Sequence, residues 1–362
     1  MRAAAPASRL RARDFAIAWP LSMPGQDQLD LFGGAPTPVA APTRGPVGPA
    51  LHAPDFAAEL AELAARLPAT LRLGTSSWAF PGWADLVYDR AYPQQRLSRA
   101  GLRAYAAHPL LRAVGIDRSY YAPLPADEFA AYAAEVPQDF RFLVKAHEAC
   151  TIAIYPRHAR YGALRGQPNP RFLDPDYARE QVLEPMLAGL GERAGPLLFQ
   201  FSPTDVDALG GPRWFAERLH GFLSALPRGP LYAVELRNRE LLTGAYSDAL
   251  ASAGVCHCIN VYPGMPNPMQ QLERTHHDHA AALVCRWMLH PRMTWEQAEQ
   301  GYAPFDRIID ADEERRADLT RVCRRGEALG LPTHLIVNNN AEGSSPRTIV
   351  ELARRIVAAG AT

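Results

Sequence analysis

Eight apolar runs recur along residues 71–340, and most of them end in polar residues. In chain order they read LRLGTSSW, LRAVGIDRSYY, FRFLVKAHE, PLLFQFSP, LYAVELRN, GVCHCINVY, ALVCRWMLH and THLIVNNN. Parallel strands that are buried on both faces give near-continuous apolar runs of this length, and helix-like segments separate the runs here. Eight such units predict an α/β fold, a closed (β/α)8 barrel of the TIM type, with its active face at the carboxyl ends of the strands.

The first 54 residues have a different composition, rich in Ala, Pro and Gly. A segment of this kind buries too little apolar surface to offset the entropy of ordering it. We therefore expect a disordered N-terminal tail over residues 1–54, followed by the barrel over residues 55–362. The tail lacks a continuous apolar stretch, and no run in the sequence approaches the roughly 20 apolar residues that span a bilayer. A cytoplasmic protein without a membrane partner is the expectation.

The charge balance narrows the choice of partners. Lys+Arg and Asp+Glu number 38 each, so the net charge is zero and any attraction to an anionic partner must be local. The five cysteines, Cys150, Cys256, Cys258, Cys285 and Cys323, are scattered and odd in number, which favours free thiols in a reducing compartment over a disulfide framework. The sequence requires no cofactor.

Polar residues two apart at a strand end should point into the mouth of the barrel, because side chains of a strand alternate between the interior and the surrounding helices. We therefore predict a ligand site built from several strand ends. The positions selected in this way are Asp117, Ser119, Tyr121, Lys145, His147, Gln200, Ser202, Glu235, Arg237, Asn260, Arg286 and Asn338 to Asn340.

Two interpretations of this mouth are open. In the first, Lys145 acts as a base with a lowered pKa or as an electrostatic clamp, and Glu235 acts as a general acid or base. Asp117 is a third catalytic candidate, and Arg237 holds a phosphate or carboxylate through its planar fork. In the second, Lys145–Glu235 and Arg237–Asp117 are buried ion pairs that close the top of the barrel.

A long loop follows the third predicted strand. Between Thr151 and Leu173 it carries four arginines, including Arg157 and Arg160, together with three aromatic residues and no acidic residue. Basic residues interleaved with aromatic ones suit a ligand with phosphates and stackable rings. The alternative is a solvated loop whose arginines pair with acids elsewhere.

The cluster from His276 to His279 is the sequence's most obvious candidate for metal binding. It precedes the seventh predicted strand and so falls at the end of the barrel opposite the mouth. No third ligand at an interpretable spacing accompanies it. We therefore predict no metal site; a metal held at the mouth by Glu235, His147 or Asp117 is the alternative.

Five motifs resemble the YecE-like family, also known as domain of unknown function 72: LGTSSWAFPGW (73–83), FRFLVKA (140–146), GPLLFQFSP (195–203), YAVELRN (232–238) and VNNNAEG (337–343). The resemblance covers roughly residues 70–360 and implies a (β/α)8 barrel, but it does not imply a reaction. The positions that match recurrent residues of the family are Trp78, Tyr121, Lys145, Gln200, Glu235, Arg237 and Asn339. The chain departs from the common pattern at Gly115, where many members have a glutamate, and it carries a carboxylate at Asp117 instead.

The tail contains a second resemblance. Gln28, Leu29, Asp30, Leu31 and Phe32 are similar to the short peptide by which bacterial DNA-replication and repair proteins dock on the sliding clamp. A flexible tail would offer its apolar side chains to pockets of a partner at a modest cost in ordering. The alternative is an incidental apolar patch.

Three functional hypotheses follow. The first is a DNA-associated barrel, acting in repair or processing and tethered to the sliding clamp. The second is a metal-independent enzyme that acts on a small phosphorylated or carboxylated metabolite, with Lys145 and Glu235 as its acid–base pair and Arg237 as its anion clamp. The third is a barrel that binds an anionic ligand without turnover.

Overall fold

Eight parallel strands close into a barrel in which each strand pairs with the next and the eighth pairs with the first. The computed structural model describes residues 50–207 and 209–360, apart from the side chain of His279. The strands are β1 (Leu71–Thr75), β2 (Ala113–Ile116), β3 (Arg141–Lys145), β4 (Ala194–Phe201), β5 (Tyr232–Leu236), β6 (Cys256–Val261), β7 (Leu283–Trp287) and β8 (Thr333–Val337). Seven of the predicted runs contain one of these strands and the fourth overlaps β4, which begins two residues earlier, so the predicted fold is confirmed.

Helices surround the barrel and connect consecutive strands. Within the described residues they are α1 (Ala58–Arg66), α2 (Gln94–Ala100), α3 (Leu102–Ala106), α4 (Ala126–Ala133), α5 (Pro175–Ala178), α6 (Glu184–Leu190), α7 (Gly211–Ala225), α8 (Gly244–Ala253), α9 (Pro268–Glu273), α10 (Trp295–Tyr302), α11 (Glu313–Ala328) and α12 (Ser345–Gly360). A π-helical stretch, Arg179–Leu183, joins α5 to α6. None of the described helices is long and apolar enough to cross a membrane.

Two apolar layers follow from the alternation of side chains along the strands. The inner layer fills the barrel with small and medium residues, among them Leu143, Leu198, Ala233 and Val284. The outer layer packs the opposite faces of the strands against the helices. For example, the ring of Phe199 packs edge to face against the ring of Phe222 in α7, with their centroids 5.1 Å apart. Because the interior positions above the inner layer are polar, the apolar filling ends where the mouth begins.

The strands β1 and β2 approach each other closely at one position. A Cβ atom on Gly74 would lie 2.0 Å from the carbonyl oxygen of Ala113, so a larger residue at 74 would push the two strands apart. The glycine is required by this approach rather than by its backbone angles.

The packed chain begins slightly before residue 55, where the sequence places the start of the barrel. Leu51 is buried in the outer core, and the carbonyl oxygen of His52 accepts a hydrogen bond from the amide of Asp89 at 3.0 Å. Composition alone misses this anchor because one buried leucine is enough to hold an otherwise polar stretch. The predicted tail up to residue 49, including the peptide from Gln28 to Phe32, lies outside the described residues.

Candidate functional site

Two arginines and two carboxylates form a buried ion network across the mouth of the barrel. Arg286 of β7 contacts the carboxylate of Glu235 of β5 at 2.7 Å and the carboxylate of Asp117, just after β2, at 2.9 Å. Arg237 contacts the other oxygen of Glu235 at 3.1 Å and donates to Gln200 Oε1 at 2.9 Å. The side chains of Glu235 and Arg286 are completely buried, whereas Asp117 is 16% exposed and marks the solvent side of the network.

Strand alternation explains how these groups reach the mouth. Gln200, Glu235 and Arg286 each lie two residues beyond an apolar residue of the inner layer, so they occupy the next interior position on their strands. The register pairs Gln200 directly with Glu235 between β4 and β5. The structure thus brings together Gln200, Glu235 and Arg286, which the alternation selected from three different strands.

The ion pairs of the second interpretation, Lys145–Glu235 and Arg237–Asp117, do not form among the described residues. Glu235 binds Arg237 and Arg286 instead, and Asp117 binds Arg286. Arg286 is long enough to bridge the two carboxylates from the far side of the barrel. Among the described residues, no carboxylate lies within 4.0 Å of the Lys145 ammonium.

Lys145 occupies the interior position at the end of β3 and is 2% exposed. Its ammonium lies 3.8 Å from the centroid of the Tyr120 ring. Burial is the largest cause that lowers the pKa of Lys145, and the positive charges of Arg237 and Arg286 lower it further. The negative charges of Asp117 and Glu235 partly offset this decrease. The resulting pKa is about 7. Lys145 therefore exchanges its proton near neutral pH.

Glu235 behaves in the opposite way. Burial raises the pKa of Glu235, but the charges of Arg286 and Arg237, and the hydrogen bond from Arg286, outweigh burial and hold the pKa at about 2. A carboxyl group with this pKa is ionised at every physiological pH and has no proton to donate. The expected role of Glu235 as a general acid does not fit this environment.

The loop between residues 151 and 173 reaches back to the mouth through Arg160. The Arg160 guanidinium bonds to both the carboxylate of Glu148 and the hydroxyl of Tyr161, and it lies over the rings of Tyr121 at 5.1 Å and Tyr161 at 4.3 Å. Tyr161 also donates to Glu148 at 2.9 Å. We call Glu148, Arg160 and Tyr161 the latch.

Glu148 is the site residue that the sequence reasoning missed. It is 7% exposed and follows β3 in a 3₁₀ turn, Glu148–Cys150. Burial raises the pKa of Glu148, and Arg160, Tyr161 and Lys145 offset the increase only in part. Strand alternation cannot find this residue because the strand ends at Lys145 and the turn brings the next carboxylate inward.

The same limit applies after β2, where a 3₁₀ turn covers Arg118–Tyr120. Ser119 does not face a ligand space: its hydroxyl donates to the carbonyl oxygens of Ile116 at 2.8 Å and Lys145 at 2.6 Å. It holds the end of β3, and so the base of the Lys145 side chain, in place. Tyr121 is half-buried under Arg160, and Tyr120 beneath Lys145 was not selected by the sequence pattern.

Other predicted residues lie outside the ion network. The Trp78 indole donates to the carbonyl oxygen of Leu97 at 3.1 Å. Asn260 donates to the carbonyl oxygen of Leu236 at 2.6 Å and so ties β6 to β5. Asn339 accepts from the backbone amide of Ser345 at 2.9 Å at the start of α12. These three side chains brace the barrel around the mouth.

The two remaining predicted ligand-binding residues are on the rim. His147 shares a hydrogen bond of 2.7 Å with the Tyr177 hydroxyl. Burial, together with the charge of Arg160, lowers the pKa of His147 to about 4, so its imidazole is neutral at pH 7. Arg157 is exposed on the loop and is not part of the latch.

No group of three or more His, Cys, Asp or Glu side chains in the described part of the chain is arranged to hold a metal ion. His276 bonds to Asp248 at 2.8 Å, at the end of the barrel opposite the mouth. The five cysteines are free and buried.

A closed eight-stranded barrel with charged side chains from several strand ends defines a TIM-barrel protein with a polar mouth. Comparison with known proteins identifies the family: the chain belongs to the family described as protein of unknown function DUF72, whose model matches residues 72–362. The resemblance to this family noted in the sequence is confirmed.

The chain is also similar to individual members. The UPF0759 protein YunF of Bacillus subtilis (strain 168) is 38% identical over 71 residues, which are 19% of this chain and 23% of that protein. A DUF72 family protein from Enterococcus faecalis V583 matches in structure with a TM-score of 0.54 at 18% identity, covering 79% of this chain and 95% of that chain. A DUF72 family protein from Thermotoga maritima MSB8 matches with a TM-score of 0.52 at 19% identity, covering 81% of this chain and 99% of that chain. These structures support the fold alone.

Proposed function

We propose that the barrel is a metal-independent enzyme that acts at its mouth on a small carboxylated or phosphorylated metabolite, with Lys145 as the reacting group. The observation that carries this proposal is the buried Lys145 amine, which lies beside an ion network without joining any of its ion pairs. A pKa of about 7 lets Lys145 both accept and return a proton near neutral pH.

Glu148 replaces Glu235 as the acid partner in this proposal. Its raised pKa brings its proton exchange closer to neutral pH, whereas Glu235 stays ionised. Titratable groups with perturbed pKa values cluster at functional sites, and Lys145 and Glu148 are two such groups at one mouth. Glu235 then serves as a positioning residue that holds Arg237 and Arg286 in place.

The ligand anion is assigned to Lys145 and Arg160 rather than to Arg237. The Arg237 guanidinium is 1% exposed and engaged by Glu235 and Gln200, so a ligand would have to displace these partners. Arg160 is more accessible, with 15% of its side chain exposed, and its buried Nε has no hydrogen-bond partner in the described chain. Among the described residues of the mouth, Arg160, Arg237 and Arg286 face the carboxylates of Glu148, Glu235 and Asp117, so a protonated Lys145 adds positive charge to these ion pairs.

Anion binding at two pH values tests the proposal. Oxalate and sulfate keep the same charge between about pH 6 and about pH 8, so any change in their affinity reports on the protein. Protonation of Lys145 with a pKa of about 7 should make binding tighter at the lower pH, by up to about tenfold. Titration calorimetry in the presence of a chelator measures this affinity.

Two variants make the test specific. Lys145→Met should abolish the pH dependence, whereas Arg228→Gln, which removes an exposed arginine between α7 and β5 at the other end of the barrel, should leave it unchanged. Equal affinity at both pH values in the wild-type protein, or equal loss in both variants, would contradict the proposal.

A DNA-associated barrel tethered to the sliding clamp is the second candidate. It is favoured by the peptide from Gln28 to Phe32 and by exposed arginines such as Arg157 and Arg165 on a loop that contains no acid. It ranks second because Arg160 of the same loop already pairs with Glu148. This reading predicts DNA affinity that falls steeply with salt.

The tethering part of this candidate has its own test. A labelled peptide spanning residues 26–34 should bind a purified bacterial sliding clamp in a fluorescence-anisotropy titration. Replacing Leu31 and Phe32 together with alanine should remove binding, because they are the apolar anchors, whereas Asp30→Ser should have little effect. Equal binding of the native peptide and the double variant would argue against the tether.

A further inference from the structure

Lys145 is the single lysine of this sequence, in which the other 37 basic side chains are arginines. Arginine stays protonated in proteins, whereas a lysine amine can lose its proton when it is buried. At every other position where this chain has a lysine or an arginine, the positive charge is that of an arginine. The one lysine is buried in the mouth of the barrel, where the neighbouring buried cations, Arg237 and Arg286, are arginines.

The surroundings of Lys145 leave its amine chemically available. The carboxylates of the mouth are held by Arg237, Arg286 and Arg160. The Tyr120 ring covers one side of the amine at 3.8 Å without offering it an acceptor for a strong hydrogen bond. Strand β3 fixes the other end of the side chain, because Ser119 bonds to the Lys145 carbonyl oxygen at 2.6 Å.

A proton acceptor alone would not require a lysine here. His147 is already a neutral imidazole on the rim, and Glu148 and Asp117 supply carboxylates. What a primary amine can do, and these groups cannot, is form a carbon–nitrogen double bond with an aldehyde or ketone.

We infer that Lys145 is an imine-forming nucleophile, and that its substrate is a small carbonyl compound carrying a carboxylate, such as a 2-oxo acid. This inference rests on the proposed function and deepens it by naming the reaction type and the substrate class. Three side chains at the same end of the barrel are partly exposed: Asp117, Tyr121 and Ser202, whose hydroxyl lies 3.4 Å from that of Tyr120.

The chemical step balances without a cofactor. The lone pair of the Lys145 nitrogen attacks the carbonyl carbon, and the electrons of the carbon–oxygen π bond move to the oxygen, which takes up a proton. The nitrogen then releases its protons, the hydroxyl group leaves as water, and a carbon–nitrogen double bond remains. Amine and carbonyl compound thus give imine and water, with no change in oxidation state. The positive charge of Arg160, whose guanidinium lies over the Tyr121 ring, attracts the carboxylate of the substrate to the mouth.

Borohydride trapping tests the inference directly. The full-length protein is incubated with glyoxylate, treated with sodium borohydride, and analysed by intact mass and peptide mapping. Because the chain has a single lysine, only Lys145 and the N-terminal amine can give a reduced adduct of this kind. We expect one adduct on Lys145, and far less of it with glycolaldehyde, an aldehyde of similar size that lacks the carboxylate.

Lys145→Arg provides the matched control, because it keeps a cationic side chain but cannot form the imine. Circular dichroism and a thermal melt establish that this variant is folded. The adduct at position 145 should be absent from it, while labelling of the N-terminal amine stays the same. Lys145 that remains unlabelled in the wild-type protein, or equal labelling by glyoxylate and glycolaldehyde, would overturn the inference.

The outcomes separate this inference from the proposed function. If no adduct is trapped but oxalate binding depends on pH and on Lys145, the imine inference is overturned and the acid–base enzyme proposal remains. Failure of both would remove the enzyme proposal as well.

Discussion

Replacing Glu235 with glutamine removes the carboxylate that joins the two central arginines while keeping the size of the side chain. In the native protein, Glu235 is completely buried and contacts Arg237 at 3.1 Å and Arg286 at 2.7 Å. The variant leaves two buried guanidinium groups with Asp117 as the remaining carboxylate of the network. Breaking a buried pair by removing one partner costs about 3–5 kcal/mol.

The pKa of Glu235 gives an independent estimate. A decrease from the ordinary value of 4.5 to about 2 in the folded protein stabilises the native state by about 3 kcal/mol, since each factor of ten in the acid constant is worth about 1.4 kcal/mol. For a barrel of roughly 310 residues the entropy of unfolding is about 0.65 kcal/mol per kelvin. Glu235→Gln should therefore lower the melting temperature by about 5–8 °C.

Urea unfolding followed by circular dichroism measures the free energy directly and leaves the ionic strength unchanged. Glu240→Gln, which removes an exposed carboxylate with the same change in charge, should alter the free energy of unfolding by less than about 0.5 kcal/mol. The effect at Glu235 also has a defined pH dependence. Because the folded pKa is lowered, the stabilisation is complete above pH 4.5 and is lost as the pH falls toward about 2. A Glu235 variant as stable as the Glu240 variant at neutral pH would refute the ion network.

Three further predictions follow from the site. Lys145→Met should raise the free energy of unfolding most below about pH 7, because the lowered pKa of Lys145 in the folded protein disfavours the native state while the amine is protonated. The gain should shrink between about pH 7 and 10.5. Urea titrations across this pH range measure the free energy of unfolding. Glu148→Gln should free Arg160, so hydrogen exchange of loop amides should speed up by about tenfold, whereas Glu128→Gln, which breaks an exposed pair, should not accelerate it. Asn339→Ala should cost about 1 kcal/mol through loss of the α12 cap, without changing anion affinity in calorimetry.

Hydrophobic alternation predicted the interior part of the site because strand geometry is local. Gln200, Glu235 and Arg286 lie within regular strands, where each step of two residues returns the side chain to the same face. The same reasoning fails once the strand ends. Ser119 and Glu148 lie in 3₁₀ turns, where the spacing of two no longer applies.

The choice of ion partners was beyond this kind of reasoning for a different reason. Arg286 and Asp117 are 169 residues apart in sequence, and their contact depends on the curvature and register of the whole barrel. Composition, however, contained a signal that alternation does not use. A single lysine among arginines indicates a position where a removable proton matters.

The proposed chemistry requires the Lys145 amine to lose its proton near neutral pH. Labelling the protein with ¹³C- and ¹⁵N-lysine gives the signal of one side chain, because the sequence contains a single lysine. A pH titration of its Cε and Nζ resonances then reads the pKa without interference from other residues. We expect a midpoint at a pKa of about 7. A midpoint near the ordinary value of 10.5 would contradict it.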